Sequence, residues 1–184
     1  MPYAFVRFPP QGRGEEIIKG MSGLQQLVDV QAGEEQSGLY LTFTIEDEIY
    51  GIGIEWVKEI IGFQPIAEIP DLPEHVKGVI NLRGTIIPVM DVRLRFGKPA
   101  AQYDSRTCII VVDAGSPIGL IVDRISEVAA IPEDEIAPPP AFNRREGGYI
   151  KGLGKGGGEI KRILDLRILL GGGAATLDEG AHVR

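Results

Sequence analysis

One cysteine, Cys108, and two histidines, His75 and His182, are all that this 184-residue chain offers of the side chains that most readily bind soft metals. With a single thiol no intrachain disulfide and no cysteine-based metal cluster can form. A Ser-His-Asp arrangement could draw only on His75, because His182 sits in a terminal tail, and nothing beside His75 supports one. Apolar runs are short as well. None approaches the roughly 20 residues that span a bilayer, and "MPYAFVRFPPQGRGEE" lacks the basic region, apolar run and small-residue cleavage site of a secretory leader. The expectation is a cytoplasmic protein with no direct membrane insertion. Basic surface is scarce too: 19 Lys and Arg against 26 Asp and Glu leave a net charge of −7, with 7% aromatics. That balance argues against a phosphate-neutralising, base-stacking surface for nucleic acid.

What is present is the composition of a globular domain, 43% apolar and 24% charged. It divides into an extension (1–38), a β-rich body (39–171) and a flexible tail (172–184). In the extension, Ile17, Met21, Leu24 and Val28 recur at helical spacing, while Gly20 and Gly23 lower the helical propensity. This stretch reads as a short docking helix in an otherwise flexible segment.

The body opens with Leu41, Phe43 and Ile45 alternating with Thr42 and Thr44, the period of a half-buried strand. "EDE" then supplies a turn into a second strand, Ile49 to Ile54. "EWVKEIIGF" is ambiguous: Val57, Ile60 and Ile61 fit one helical turn, yet the same residues suit a strand. "IPDLPEHVKG" predicts a turn and one short helical turn, with proline near its start and Gly78 after its end. "RTCIIVVDAGSPIGLIVD" is a hairpin apolar enough to be covered on both faces. "EVAAIPEDEIAPPPAF" gives a short strand and a rigid proline-rich connection. "YIKGLGKGGGEIKRILDLRILLGGG" gives two more strands around glycines, turning helical after Asp165. About eight to ten short strands, with turn signals every 8–12 residues, predict an all-β fold that closes as one large barrel or two small ones.

Few motifs carry chemistry. Gly152, Gly154 and Gly157 satisfy G-x-G-x-x-G, but a β-like run follows where a dinucleotide site needs a helix, so a hairpin turn is the better reading. The triplets Glu46-Asp47-Glu48 and Glu133-Asp134-Glu135 fall in predicted turns and lack the ordering of a calcium loop. Cys108, inside "TCIIVV", reads as a buried structural thiol. The informative segment is "GVINLRGTIIPVMDVRLRFG". Arg83 and Gly84 interrupt two β-branched runs as a hairpin turn would, with Gly84 at positive φ, and Pro88 marks an edge or bulge. A solvated turn explains the geometry. It leaves open why a guanidinium, suited to bidentate contacts at interfaces, stands there.

"YLTFTIEDEIYGIGIEWVKEIIGF", "IPDLPEHVKGVINLRGTIIPVMDVRLRFG", "TCIIVVDAGSPIGLIVDRISEV" and "YIKGLG" together resemble the CheW family of chemotaxis coupling proteins, in order and spacing, from about Leu39 to Leu170. The resemblance implies two small five-stranded β-barrel subdomains (SH3-like or OB-like) around a shared apolar core, with a short C-terminal helix. It implies an adaptor with no enzymatic activity and no cofactor. The implied partners are the chemoreceptor cytoplasmic hairpin tip, seated in a groove between the barrels, and the regulatory domain of a histidine kinase, with self-association in rings left open. The site residues carried over are Arg83, Val57, Glu59, Ile54, Ile60, Thr107, Cys108 and Gly119. Trp56 and Ile61 depart from the family pattern and put the identity of the partner in question.

On this reading Ile54, Val57 and Ile60 line the groove and Arg83 orients the receptor helix, so Val57→Lys is expected to break one contact without unfolding the barrels. The same module in a surface-motility or gene-regulation pathway is the alternative. A nucleic-acid-binding barrel is a more remote one.

Overall fold

In the computed structural model, which describes residues 38–140 and 148–171, the alternating segment forms strand β1 (Leu39–Ile45). Glu46, at φ 56°, and Asp47 turn the chain into its antiparallel partner β2 (Glu48–Gly53). The ambiguous "EWVKEIIGF" resolves into a 3-10 turn, Ile54–Trp56, followed by strand β3 (Val57–Gly62). Val57 faces Val112 while Glu59 faces Val111, so Lys58 is the extra residue of a bulge. That residue breaks the two-residue alternation, and the segment therefore fits neither a clean strand nor a helix.

The helical turn expected in "IPDLPEHVKG" does not form. Those residues make irregular turns, with Asp71 at φ 62°, and Gly78 lies inside strand β4 (Val76–Leu82). At φ 139° Gly78 passes so close to Ala67 that a Cβ would collide with the Ala67 carbonyl oxygen. Ala67 and the neighbouring Val79 exchange two 2.9 Å backbone hydrogen bonds there. Gly78 is thus a close-approach glycine and not a helix stop.

The remaining strands are β5 (Thr85–Asp91), β6 (Cys108–Asp113), β7 (Pro117–Val122), β8 (Arg124–Ala130), β9 (Ile136–Ala137), β10 (Ile150–Gly156) and β11 (Glu159–Leu164). They form two sheets, ordered β8-β1-β2-β11-β10-β9 and β3-β6-β7-β5-β4. The first exceeds the expected five strands only through the two-residue β9. Each sheet wraps a private core: Tyr40, Ala129, Ile131 and Ile163 in the first, Ile80, Ile87, Val89, Ile109, Val111 and Ile121 in the second. A larger shared core holds the sheets together, with Leu41, Phe43 and Ile52 meeting Met90, Ile110, Val112 and Leu120. β6 and β7 are buried on both faces because they lie between the shared core and a private one. The docking-helix segment and the tail 172–184 fall outside the described residues.

An internal repeat underlies this layout. Residues 75–97 and 149–171 align without a gap, pairing Lys77 with Lys151, Gly78 with Gly152, Gly84 with Gly158, Ile86 with Ile160, Asp91 with Asp165 and Arg93 with Arg167. Each copy is a bulged hairpin whose second strand runs parallel to a strand of the other hairpin in its sheet, β5 beside β7 and β11 beside β2. Each ends in a short helix, Val92–Arg95 or Leu166–Leu170, capped by the aspartate before it. The cap carboxylates accept from Leu94 N (3.3 Å) and Ile168 N (3.2 Å). Asp91 N and Asp165 N donate to His75 O and Tyr149 O at the same 2.7 Å.

The first acidic triplet joins the subdomains. Glu46 pairs with Arg93 (3.0 Å) and Lys98 (2.9 Å), and Glu48 with Lys98 (3.1 Å) and Arg162 (3.0 Å). Arg93 and Lys98 follow β5, so the β1–β2 turn of one sheet is tied to the other.

Candidate partner-binding site

The turn between β4 and β5 has two central residues, Arg83 at φ 49° and Gly84 at φ 88°. Positive φ at both positions is the arrangement that matches the twist of a two-residue hairpin. Gly84 adopts it freely; for Arg83 the left-handed region costs on the order of 1 kcal/mol or more. Asn81 secures the turn, its Oδ1 accepting from Gly84 N at 2.8 Å. Pro88 lies within β5, which is flanked by β4 and β7, yet pairing with β7 begins only at Val89. Pro88 faces Val79, whose backbone N and O bond to Ala67 instead, and precedes the pairing with β7, so its missing N–H removes no ladder bond.

Arg83 reaches across the opening of the curled sheet to Glu59 on β3 and forms an ion pair through Nη2 and Oε1. β3 and β4 are the two ends of the strand order, so this pair spans the sheet's outermost strands. Glu59 is mostly shielded, its side chain 19% exposed, whereas Arg83 is 72% exposed. The other sheet supplies a contrast. Glu127, on β8 and likewise just after a bulge, pairs with Lys161 at 2.9 Å, and that lysine side chain is only 5% exposed. One subdomain thus neutralises its glutamate from within. The other does so from a surface turn, leaving most of a five-donor guanidinium open to a further acceptor.

The remaining residues expected at the site are not equally available. Ile54 and Val57 are buried in the shared core, Val57 with 4% of its surface exposed, and do not line an open groove. Ile60 is half-buried on the edge of that core. Thr107 and Cys108 are buried, the threonine Oγ1 accepting from Asp104 N at 2.9 Å. Gly119 lies opposite Val89 in β7, where a Cβ would stand 2.8 Å from Ile109 Cγ2. Among the departures, Trp56 is half-buried under the Arg167 guanidinium, 5.3 Å from its ring centroid, and Ile61 packs against the private core of the second sheet. Sequence reading missed Ile86. It is an apolar side chain 61% exposed, three positions after Arg83, hidden by the apparently uniform apolar run "TIIPV".

Burial pushes the Cys108 thiol up to about 11, and its Sγ donates to Arg106 O at 3.2 Å. The folded state favours the protonated thiol. The stability this contributes is full below the unfolded value near 9 and is lost as pH rises toward 11. Burial also raises Tyr50 and Tyr103, whose losses begin near their unfolded value of 10, inside this window, and continue above it. Urea titrations are expected to give falling stability from pH 9 to 11, with a shallower fall in Cys108→Ala. Identical slopes would remove Cys108 as a cause.

A profile of the CheW-like domain matches residues 39–172. The chain is 37% identical over 152 residues to the chemotaxis protein CheW of Klebsiella aerogenes, covering 82% of this chain and 91% of that protein. Against the CheW of Treponema pallidum the identity is 34% over 148 residues, covering 77% and 86%. The crystal structure of the scaffolding protein TtCheW from Thermoanaerobacter tengcongensis superposes with a TM-score of 0.68 at 36% identity, covering 72% of this chain and 92% of that one. With paired curled sheets, a shared core and these matches across the same residues, the chain belongs to the CheW-like domain family.

Proposed function

We propose that this protein is a non-enzymatic adaptor that couples the cytoplasmic hairpin tips of chemoreceptors to the regulatory domain of a histidine kinase. It would work in the cytoplasm and be recruited to receptor arrays. The observation that carries this reading is Arg83: a guanidinium held in a left-handed turn, anchored on one side by Glu59 and open on the other. An anchored guanidinium loses little freedom when it meets a second acceptor, and the exposed Ile86 adds apolar area on the same hairpin. A receptor helix offering a carboxylate or amide and a stripe of small apolar residues fits that surface. Ile54, Val57, Thr107, Cys108 and Gly119 are buried and support the fold without facing the partner. Whether the pathway drives swimming or surface movement depends on the receptors and kinase it meets.

Arg83→Ala is expected to weaken binding of a soluble receptor hairpin by about 1–3 kcal/mol. Because the Arg83 side of the ion pair is exposed, and alanine keeps the left-handed backbone that only glycine would relieve, folding stability in Arg83→Ala should change by no more than about 1 kcal/mol. Calorimetric titration with the hairpin measures the first effect and urea unfolding the second. Equal hairpin affinity for both proteins would sink the assignment of Arg83.

A further inference from the structure

The two short helices of the repeat carry an arginine at the same place and leave it in different states. Arg93, second residue of Val92–Arg95, is saturated: its side chain is 13% exposed and pairs with Glu46 at 3.0 Å and with Asp123. Arg167, second residue of Leu166–Leu170, is exposed, and no carboxylate among the described residues pairs with it. Its guanidinium carbon lies 5.3 Å from the centroid of the Trp56 ring, and that ring rests on the shared core. Attraction to the ring holds the cation without supplying the strong acceptors that its five N–H donors seek. Ile168, the next residue, is 45% exposed. Trp56, Arg167 and Ile168 therefore offer a positioned cation, unused donors and apolar area, and lack only an anion.

Charge and placement identify what completes the patch. A carboxylate can accept two parallel N–H bonds from a guanidinium and neutralise it, which a neutral side chain cannot. Trp56 stands immediately before β3, whose Glu59 holds Arg83. Residues 56–59 thus anchor two guanidiniums from different subdomains, Arg83 from the β4–β5 turn and Arg167 from the helix after β11. Along the chain the two anchors are roughly 10 Å apart, the length of two turns of a helix.

We propose that Arg167, held by Trp56 and flanked by Ile168, takes a carboxylate of the receptor hairpin and is a second polar contact besides Arg83. This contact rests on the adaptor function proposed above and adds to it a preference for acidic receptor tips. Trp56, one of the two departures from the family pattern, is then the residue that sets the preference.

Trp56 is the chain's only tryptophan, so its emission reports the patch. A soluble receptor hairpin would be titrated into the full-length protein, Arg167→Gln and Arg83→Ala, following Trp56 emission and binding heat at low and at high salt. Arg167→Gln is expected to bind about tenfold more weakly at low salt, with a smaller difference at high salt, where exposed charges are screened. Its urea midpoint should match that of the unaltered protein, because an exposed contact of this kind adds little to folding. Unchanged affinity in Arg167→Gln, with Arg83→Ala weakened, overturns the second contact and leaves the receptor reading in place. A loss that does not depend on salt also overturns it, since that marks lost packing and not a lost carboxylate pair. An effect of Arg167→Gln confined to binding of the kinase regulatory domain gives the patch to that partner and overturns it as well. If the free protein's emission shifts with salt and Asp178→Asn combined with Glu179→Gln removes the shift, the chain's own tail supplies the anion and the proposal falls. Binding of the hairpin by none of the proteins removes the receptor reading and this contact together.

Discussion

Val57→Lys is expected to unfold the protein and not simply to strip it of one partner, reversing the expectation drawn from sequence. Val57 is 4% exposed and sits in the shared core among residues of both sheets. Its position follows from the bulge at Lys58, which leaves Val57 opposite Val112, itself fully buried. A lysine there must carry an unpaired ammonium into the core or give up its proton. Either route costs on the order of 4–5 kcal/mol, a large share of the roughly 5–15 kcal/mol that holds a domain together. Urea unfolding monitored by circular dichroism measures the loss. A normal unfolding midpoint would mean that the core opens at this position far more easily than its packing indicates.

The second large effect is expected at Lys161. Its ammonium lies inside the first subdomain against Glu127, whose backbone N and O both bond to the Thr42 hydroxyl, at 3.2 and 2.8 Å. Lys161→Ala leaves that carboxylate without its closest cation and removes the apolar stem packed around it, at a cost of about 3 kcal/mol. The repeat indicates the remedy, because Ile87 holds the same place in the other hairpin and lies in an apolar core. Lys161→Ile combined with Glu127→Leu is expected to recover most of the loss, since exchanging a buried pair for well-packed apolar groups is often neutral. Denaturant titrations of the single and double variants measure this. A double variant as unstable as Lys161→Ala would mean that the ion pair is needed for more than neutralising itself.

Much of this architecture was readable in advance where one local rule acted alone. β1 announces itself through Thr42 and Thr44, although the strand is buried on both faces and not half-buried, because β8 and β2 flank it and the Thr42 hydroxyl is satisfied by the Glu127 backbone. The two-sided burial of β6 and β7 follows from their unbroken apolar runs. Reading failed where a distant residue decided the outcome. Gly78 reads as a helix stop in the sequence because Ala67, whose carbonyl requires a glycine there, carries no signal of that approach. The β3 segment was ambiguous because Lys58 interrupts its period and because its residues serve two cores, Val57 and Ile60 on the shared one and Ile61 on the private one. The site divided in the same way. A hairpin at Arg83-Gly84 was legible, but the partnership with Glu59 across the ends of a sheet was not, nor was the burial of Ile54 and Val57.

The order in which the strands are made follows from the sheet order. β3 to β7 are consecutive in the chain and complete their sheet between residues 57 and 122. The first sheet is assembled from both sides of that insertion: β2 must pair with β11, Ile49 lying beside Lys161 and Gly51 beside Ile163. During synthesis the inserted subdomain can close on its own strands. β8 can then pair with β1, but β2 keeps one edge open until β11 leaves the ribosome. A chain stopped short of β11 therefore yields one closed subdomain and the three strands β8-β1-β2 beside it. Quality control should meet this protein first through the unpaired edge of β2 at Ile49 to Gly51.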